Sequence, residues 1–114
     1  MAPSPLTITT SSINRMVKEE QSYHKEIIQQ QARITKLERD GGDENAEFQL
    51  RQERQALEET KAVFPSLRQR ISDSITKLED QINGAEGSGS EDEITKAKQA
   101  VANAKESLTI EGMA

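Results

Sequence analysis

The stretch INRMVKEEQSYHKEIIQQQARITKL, residues 13–37, decides the fold. Ile13, Met16, Glu20, Tyr23, Ile27, Gln30, Ile34 and Leu37 follow one another at alternating steps of three and four. Eight consecutive matches to a heptad template describe an α-helix with one narrow seam, since a strand would repeat every second residue. Glu20 and Gln30 place polar groups in that seam. Such residues weaken packing but can fix which residues face each other.

The same periodicity recurs twice more. Leu50, Leu57 and Phe64 repeat every seven residues, and Leu67, Ile71, Ile75, Leu78 and Ile82 continue at helical spacing. Ile94, Ala97, Val101, Ala104 and Leu108 again step by three and four. The spacing predicts helices over about 10–40, 44–83 and 91–110. Thr10 or Ser11 is the expected first cap, and Gly41 and Gly42 of DGGDEN supply a turn. Gly84 is expected to end the second helix, and Ser90 with Glu93 forms a capping-box pattern at the start of the third. Residues 1–9 read as a flexible Pro/Ser/Thr-rich arm, 84–90 as an exposed, mobile Gly/Ser linker open to proteolysis at Glu86, and 111–114 as a tail. Ser4-Pro5 is a common dipeptide and is taken as part of the arm rather than a kinase site.

Composition agrees with thin helices rather than a thick globule. Of 114 residues, 32% are apolar and 3% aromatic, against 31% charged. That leaves disorder or an elongated bundle. A net charge of only −5 with interleaved signs, together with the periodicity, favours the bundle. Short connections between long helices force antiparallel neighbours. The expected fold is therefore all-α: an elongated antiparallel three-helix bundle of left-handed coiled-coil type.

Pro65, in VFPSLRQRI, interrupts the longest helix. A proline removes a helical hydrogen bond and clashes with the preceding turn, at roughly 3 kcal/mol. The third helix, folding back from Gly84, would reach only to about Phe64. A kink at Pro65 is thus expected where the second helix changes partners. The steps from Phe64 through Leu67, Ile71, Ile75 and Leu78 run three, four, four, three, a stutter that locally unwinds a supercoil.

No catalytic constellation is legible. His24 is the only histidine, there is no cysteine, and His24 reads as a seam-flank residue rather than a ligand or base. GSEDE lacks calcium-loop spacing and suits a helix N-terminus. DGGDEN lacks the Lys-Ser/Thr of a phosphate loop. Tyr23, Phe48 and Phe64 read as core. No enzyme, cofactor or metal is expected. No signal-peptide core and no apolar run of about 20 residues stands out, so the chain reads as soluble and intracellular, without a membrane role. An acidic pI near 5.0 argues against nucleic acid. Residues 15–39 carry six basic and four acidic side chains, and 43–82 six and nine. Solvated faces are the plainer account of that asymmetry. What remains is a surface for another protein.

Three motifs resemble the tubulin-binding cofactor A family. INRMVKEEQSYHKE (13–26) is similar to a first-helix pattern V-K-R-L-V-K-E-x-x-x-Y-x-K-E, matched at Arg15, Val17, Lys18, Glu19, Tyr23, Lys25 and Glu26. DGGDEN resembles a D-G-E-N turn. FPSLRQRI resembles a mid-helix segment in which a proline is followed five residues later by arginine and an aliphatic, here Pro65, Arg70 and Ile71. Ser11 stands where the pattern has glycine, the loop at 84–90 is longer, and the third helix matches poorly. The resemblance implies a cytoplasmic, cytoskeleton-associated chaperone. It would bind β-tubulin released from the cytosolic chaperonin, hold it for α/β assembly with other tubulin-folding cofactors, and use no cofactor of its own. The implied contacts are Arg15, Lys18, Glu19, Lys25 and Glu26, with Arg68 and Arg70 beside the proline; each could equally be a solvated helix residue, Arg15 pairing with Glu19. A monomer or weak homodimer is expected. The alternative class is a structural coiled-coil adaptor or self-association module, which should dimerise firmly.

Overall fold

In a computed structural model, residues 3–85 and 90–113 are described, with side chains through Thr109. They form three helices and no strand: α1 (Pro5–Asp40), α2 (Glu44–Ala85) and α3 (Glu91–Met113). The chain divides into two compact units. One holds α1 up to Glu19, α2 from Ser66 onward, and α3; the other is Glu20–Pro65.

The first unit is a three-helix bundle. Ile13, Ile71, Leu78, Ala97 and Ala104 are completely buried, surrounded by Leu6, Met16, Val17, Leu67, Ile75, Ile82, Ala100 and Val101. Small residues on α3 let its backbone approach the two larger-seamed helices closely. Lys105 Nζ meets Glu79 Oε2 at 2.9 Å, and Arg68 Nη2 donates to the Leu108 carbonyl at 3.2 Å, fixing α3 antiparallel to α2.

The second unit is a two-helix hairpin. Tyr23 meets Phe64, Gln30 meets Thr60, and Arg33 meets Glu53, so one helix number falls as the other rises. The turn follows from local chemistry. Gly41, at φ 60°, donates its N–H to the Leu37 carbonyl at 3.1 Å, an αL helix cap. Gly42 has φ 146°, and a Cβ there would lie 2.8 Å from Ala46 Cβ. Asp43 Oδ1 then accepts from the N–H groups of Asn45 and Ala46, capping α2. Two helices shield a seam from one side only. Tyr23, Ile27, Ile34, Leu37 and Leu50 are accordingly half-buried, while Leu57, Thr60 and Phe64 are buried.

Every seam position expected on α1 is buried or half-buried, and the division between units falls immediately after Pro65. α2 is helical through Pro65. Other expectations need correction. Helix α1 starts at Pro5, not near Thr10, so residues 5–9 are not a flexible arm: Leu6 and Thr9 are buried. The cap is Ser4, whose Oγ accepts from the Thr7 N–H at 3.1 Å, with Pro5 in the first helical position where a missing N–H costs nothing. Gly84 lies within α2, which ends at Ala85, and α3 runs to Met113 rather than 110. The expected linker at 84–90 is thereby shortened at its start. Its remaining part, 86–89 with the Glu86 cleavage site, lies outside the described residues, as do Met1, Ala2 and Ala114.

Candidate functional site

The residues singled out from sequence are carried on the outside of the helices. On the three-helix unit, Arg15, Lys18, Glu19 and Arg70 are exposed. Arg15 and Glu19 form no ion pair with each other, although one turn apart, so neither is consumed by the helix that carries it. Arg68 differs. It is half-buried, and its guanidinium donates to the Leu108 carbonyl. That contact ties α3 to α2 and makes Arg68 a packing residue. On the hairpin, Lys25 and Glu26 are exposed, and so is the Pro65 ring. Proline has no N–H to offer the Lys61 carbonyl, which therefore lacks its helical donor.

The hairpin seam is more polar than the sequence suggested at its aromatic end. Phe64 takes the edge of Tyr23 at 6.2 Å and lies under the tilted His24 ring at 4.7 Å. His24 Nε2 stands 3.7 Å from Oε1 of the buried Glu20. His24 is thus a stacked flank residue beside a seam carboxylate. Nothing in residue type marked Phe64 as the centre of this cluster; the signal was its heptad position. Phe48, expected in the core, is instead half exposed, on the side of α2 opposite Leu50.

At the other end of the chain, Glu93 links two helices. Its Oε2 accepts hydrogen bonds from the hydroxyls of Ser4 and of Thr7. Those hydroxyls hold the Glu93 carboxyl below the ordinary value of 4.5, Ser4 contributing more than Thr7. The expected capping box is therefore half formed. The Glu93 N–H reaches Ser90 Oγ at 3.5 Å, but the carboxylate is given to α1.

Among the described residues no group of three His, Cys, Asp or Glu side chains is placed to hold a metal ion, and no helix is long and apolar enough to cross a membrane. The fold defines a class: a small all-α protein built, in its described residues, of three helices. The family model for Tubulin binding cofactor A matches residues 1–101, and the chain belongs to that family. It is 29% identical over 108 residues to the Tubulin-specific chaperone A of Saccharomyces cerevisiae, covering 95% of this chain and 97% of that one. It is 28% identical over 108 residues to the Tubulin-folding cofactor A of Arabidopsis thaliana, covering 93% of each. No solved structure matches significantly.

Proposed function

We propose that this protein is a non-enzymatic tubulin-folding chaperone. It binds β-tubulin after release from the cytosolic chaperonin, in the cytoplasm, and holds it for later assembly into the α/β heterodimer. The observation that carries this reading is the family match, which runs through both units and about half of α3, to residue 101. The two relatives, one named a tubulin-specific chaperone and the other a tubulin-folding cofactor, match over 97% and 93% of their own lengths.

The exposed side chains of Arg15, Lys18, Glu19, Lys25, Glu26 and Arg70 are the proposed contacts, giving steering and specificity rather than raw affinity. Arg68 takes part through packing, by fixing α3 beside the segment that follows Pro65.

The test is a complex assay. Purified protein is added to β-tubulin as it leaves the chaperonin, and the products are separated on a native gel. A discrete complex with β-tubulin, and none with the intact α/β heterodimer, supports the reading. A firm homodimer that takes up no tubulin identifies a self-association module instead.

A further inference from the structure

The outer line of α1 carries a pattern that packing does not require. Each position two residues beyond a seam residue lies on the solvent side of the helix. On α1 within the hairpin these positions are Ser22, Lys25, Gln29, Ala32, Lys36 and Arg39, and all are exposed. The corresponding line of α2 in the hairpin is Phe48, Gln52, Gln55, Glu59 and Ala62, also exposed. One outer line thus has three cations and no acid; the other has one acid and no cation. In the three-helix unit, the same register of α1 holds Arg15 and Lys18, again without an acid. The whole chain has 20 acidic and 15 basic residues, so a line without acids runs against its composition.

These cations are also not used by the fold. The arginines on the flanks are: Arg33 pairs with Glu53 at 2.9 Å, and Arg54 with Glu38 at 3.3 Å. Among the described residues Lys25 and Lys36 have no ion-pair partner, and Arg39 meets only its exposed neighbour Asp40.

We propose that the outer face of α1 in the hairpin, with Lys25, Lys36 and Arg39, is a docking surface for an acidic peptide segment of a partner protein. Lys25 and Lys36 are eleven residues apart, about 16 Å along the helix. An extended peptide of about five residues spans that distance. The line is one side chain wide. Glu26 and Glu38 flank it, and the hairpin as a whole has seven basic against ten acidic residues. A nucleic-acid duplex, held through many phosphates at once, would meet repulsion on both sides. Ile28, exposed beside Lys25 and Ala32, is the one large apolar side chain next to the line, and a single isoleucine among Ser22, Gln29 and Ala32 is too little apolar surface to hold a helix on a lipid layer. A short acidic strand matches the line and little else. The inference deepens the chaperone reading, and rests on it only for which protein carries the segment.

The experiment measures anisotropy of fluorescein-labelled deca-glutamate with the full chain, a K25Q/K36Q variant and a K61Q/K77Q control that loses the same charge from α2. Exposed Lys→Gln changes leave helix propensity nearly unchanged, and circular dichroism checks the fold. The expected result is binding that weakens with salt and falls at least about threefold in K25Q/K36Q, with the control unchanged. Equal binding by K25Q/K36Q and the control overturns the proposal. So does tighter binding to a short DNA duplex or to phosphatidylserine vesicles than to deca-glutamate. β-Tubulin capture by the same three proteins separates the two claims. Loss of peptide binding in K25Q/K36Q, with no tubulin capture by any of the three, sinks the chaperone reading and leaves the docking surface standing. Undiminished peptide binding by K25Q/K36Q, with tubulin captured by all, does the reverse.

Discussion

Gln30 donates its side-chain amide to the Thr60 hydroxyl at 3.1 Å across the hairpin, and Thr60 donates in turn to the Ala56 carbonyl at 2.9 Å. Both side chains are buried, and the Gln30 carbonyl oxygen has no partner there. The polar interruption of the α1 seam is therefore matched by a polar residue at the facing position of α2, which ties the two helices into one register.

Removing one partner should cost more than removing both. Thr60→Val strands the whole Gln30 amide and should lower stability by about 1–3 kcal/mol. The Q30L/T60V double variant replaces the pair with apolar groups and should recover most of that loss. Urea melts of the two variants check the order. A double variant no more stable than T60V would show that the pair is not an energetic unit.

The two units should respond differently to a charge in the seam. Ile71 is completely buried in the three-helix unit, whereas Ile27 in the hairpin is only half-buried. Ile71→Asp should destabilise by more than about 4 kcal/mol, and Ile27→Asp by about 1–2 kcal/mol. Circular dichroism melts measure both. Melts unchanged by either substitution would overturn the seam.

Glu93 should make stability depend on acid. Its folded carboxyl lies below 4.5 because the Ser4 hydroxyl, then the Thr7 hydroxyl, favours the charged form. As pH falls, the unfolded chain takes up this proton first. The stabilisation is therefore present above about 4.5 and is lost as pH drops through the lower folded value. Comparing wild type with Glu93→Gln from neutral pH downward should show a stability gap that closes in this window. A gap that stays constant would show that the hydroxyls do not discriminate between the two charge states.

Pro65→Ala tests the proline in the middle of α2. The substitution gives the Lys61 carbonyl its donor back, and Pro65 itself is exposed. The melting temperature should hold or rise, by an amount equivalent to at most about 3 kcal/mol, while β-tubulin capture falls if a bend there shapes the contact surface. A rule broken against stability is expected at functional positions. Full capture by a stabilised variant would leave the proline without a binding role.

Heptad spacing identified the seams and the three helices, and the paired glycines identified the turn between the first two, because helix periodicity and positive-φ turns are local properties of the chain. A residue two steps from a seam position faces outward in any helix, so the outward placement of Phe48, two residues before Leu50, was also present in its register, although its apolar character pointed the other way. The start of α1 was not legible. Thr7, Thr9 and Thr10 disfavour helix by residue type, yet the Thr9 and Thr10 hydroxyls donate back to the Pro5 and Leu6 carbonyls. The Ser4 cap is reinforced by Glu93, a partner 89 residues away. Arg68 was read as a partner contact because nothing nearby in sequence reveals that the Leu108 carbonyl takes its guanidinium. Local periodicity determined which faces the helices would bury. Only the tertiary structure decided which polar groups meet across those faces, since such pairings depend on residues that helix geometry alone cannot bring together.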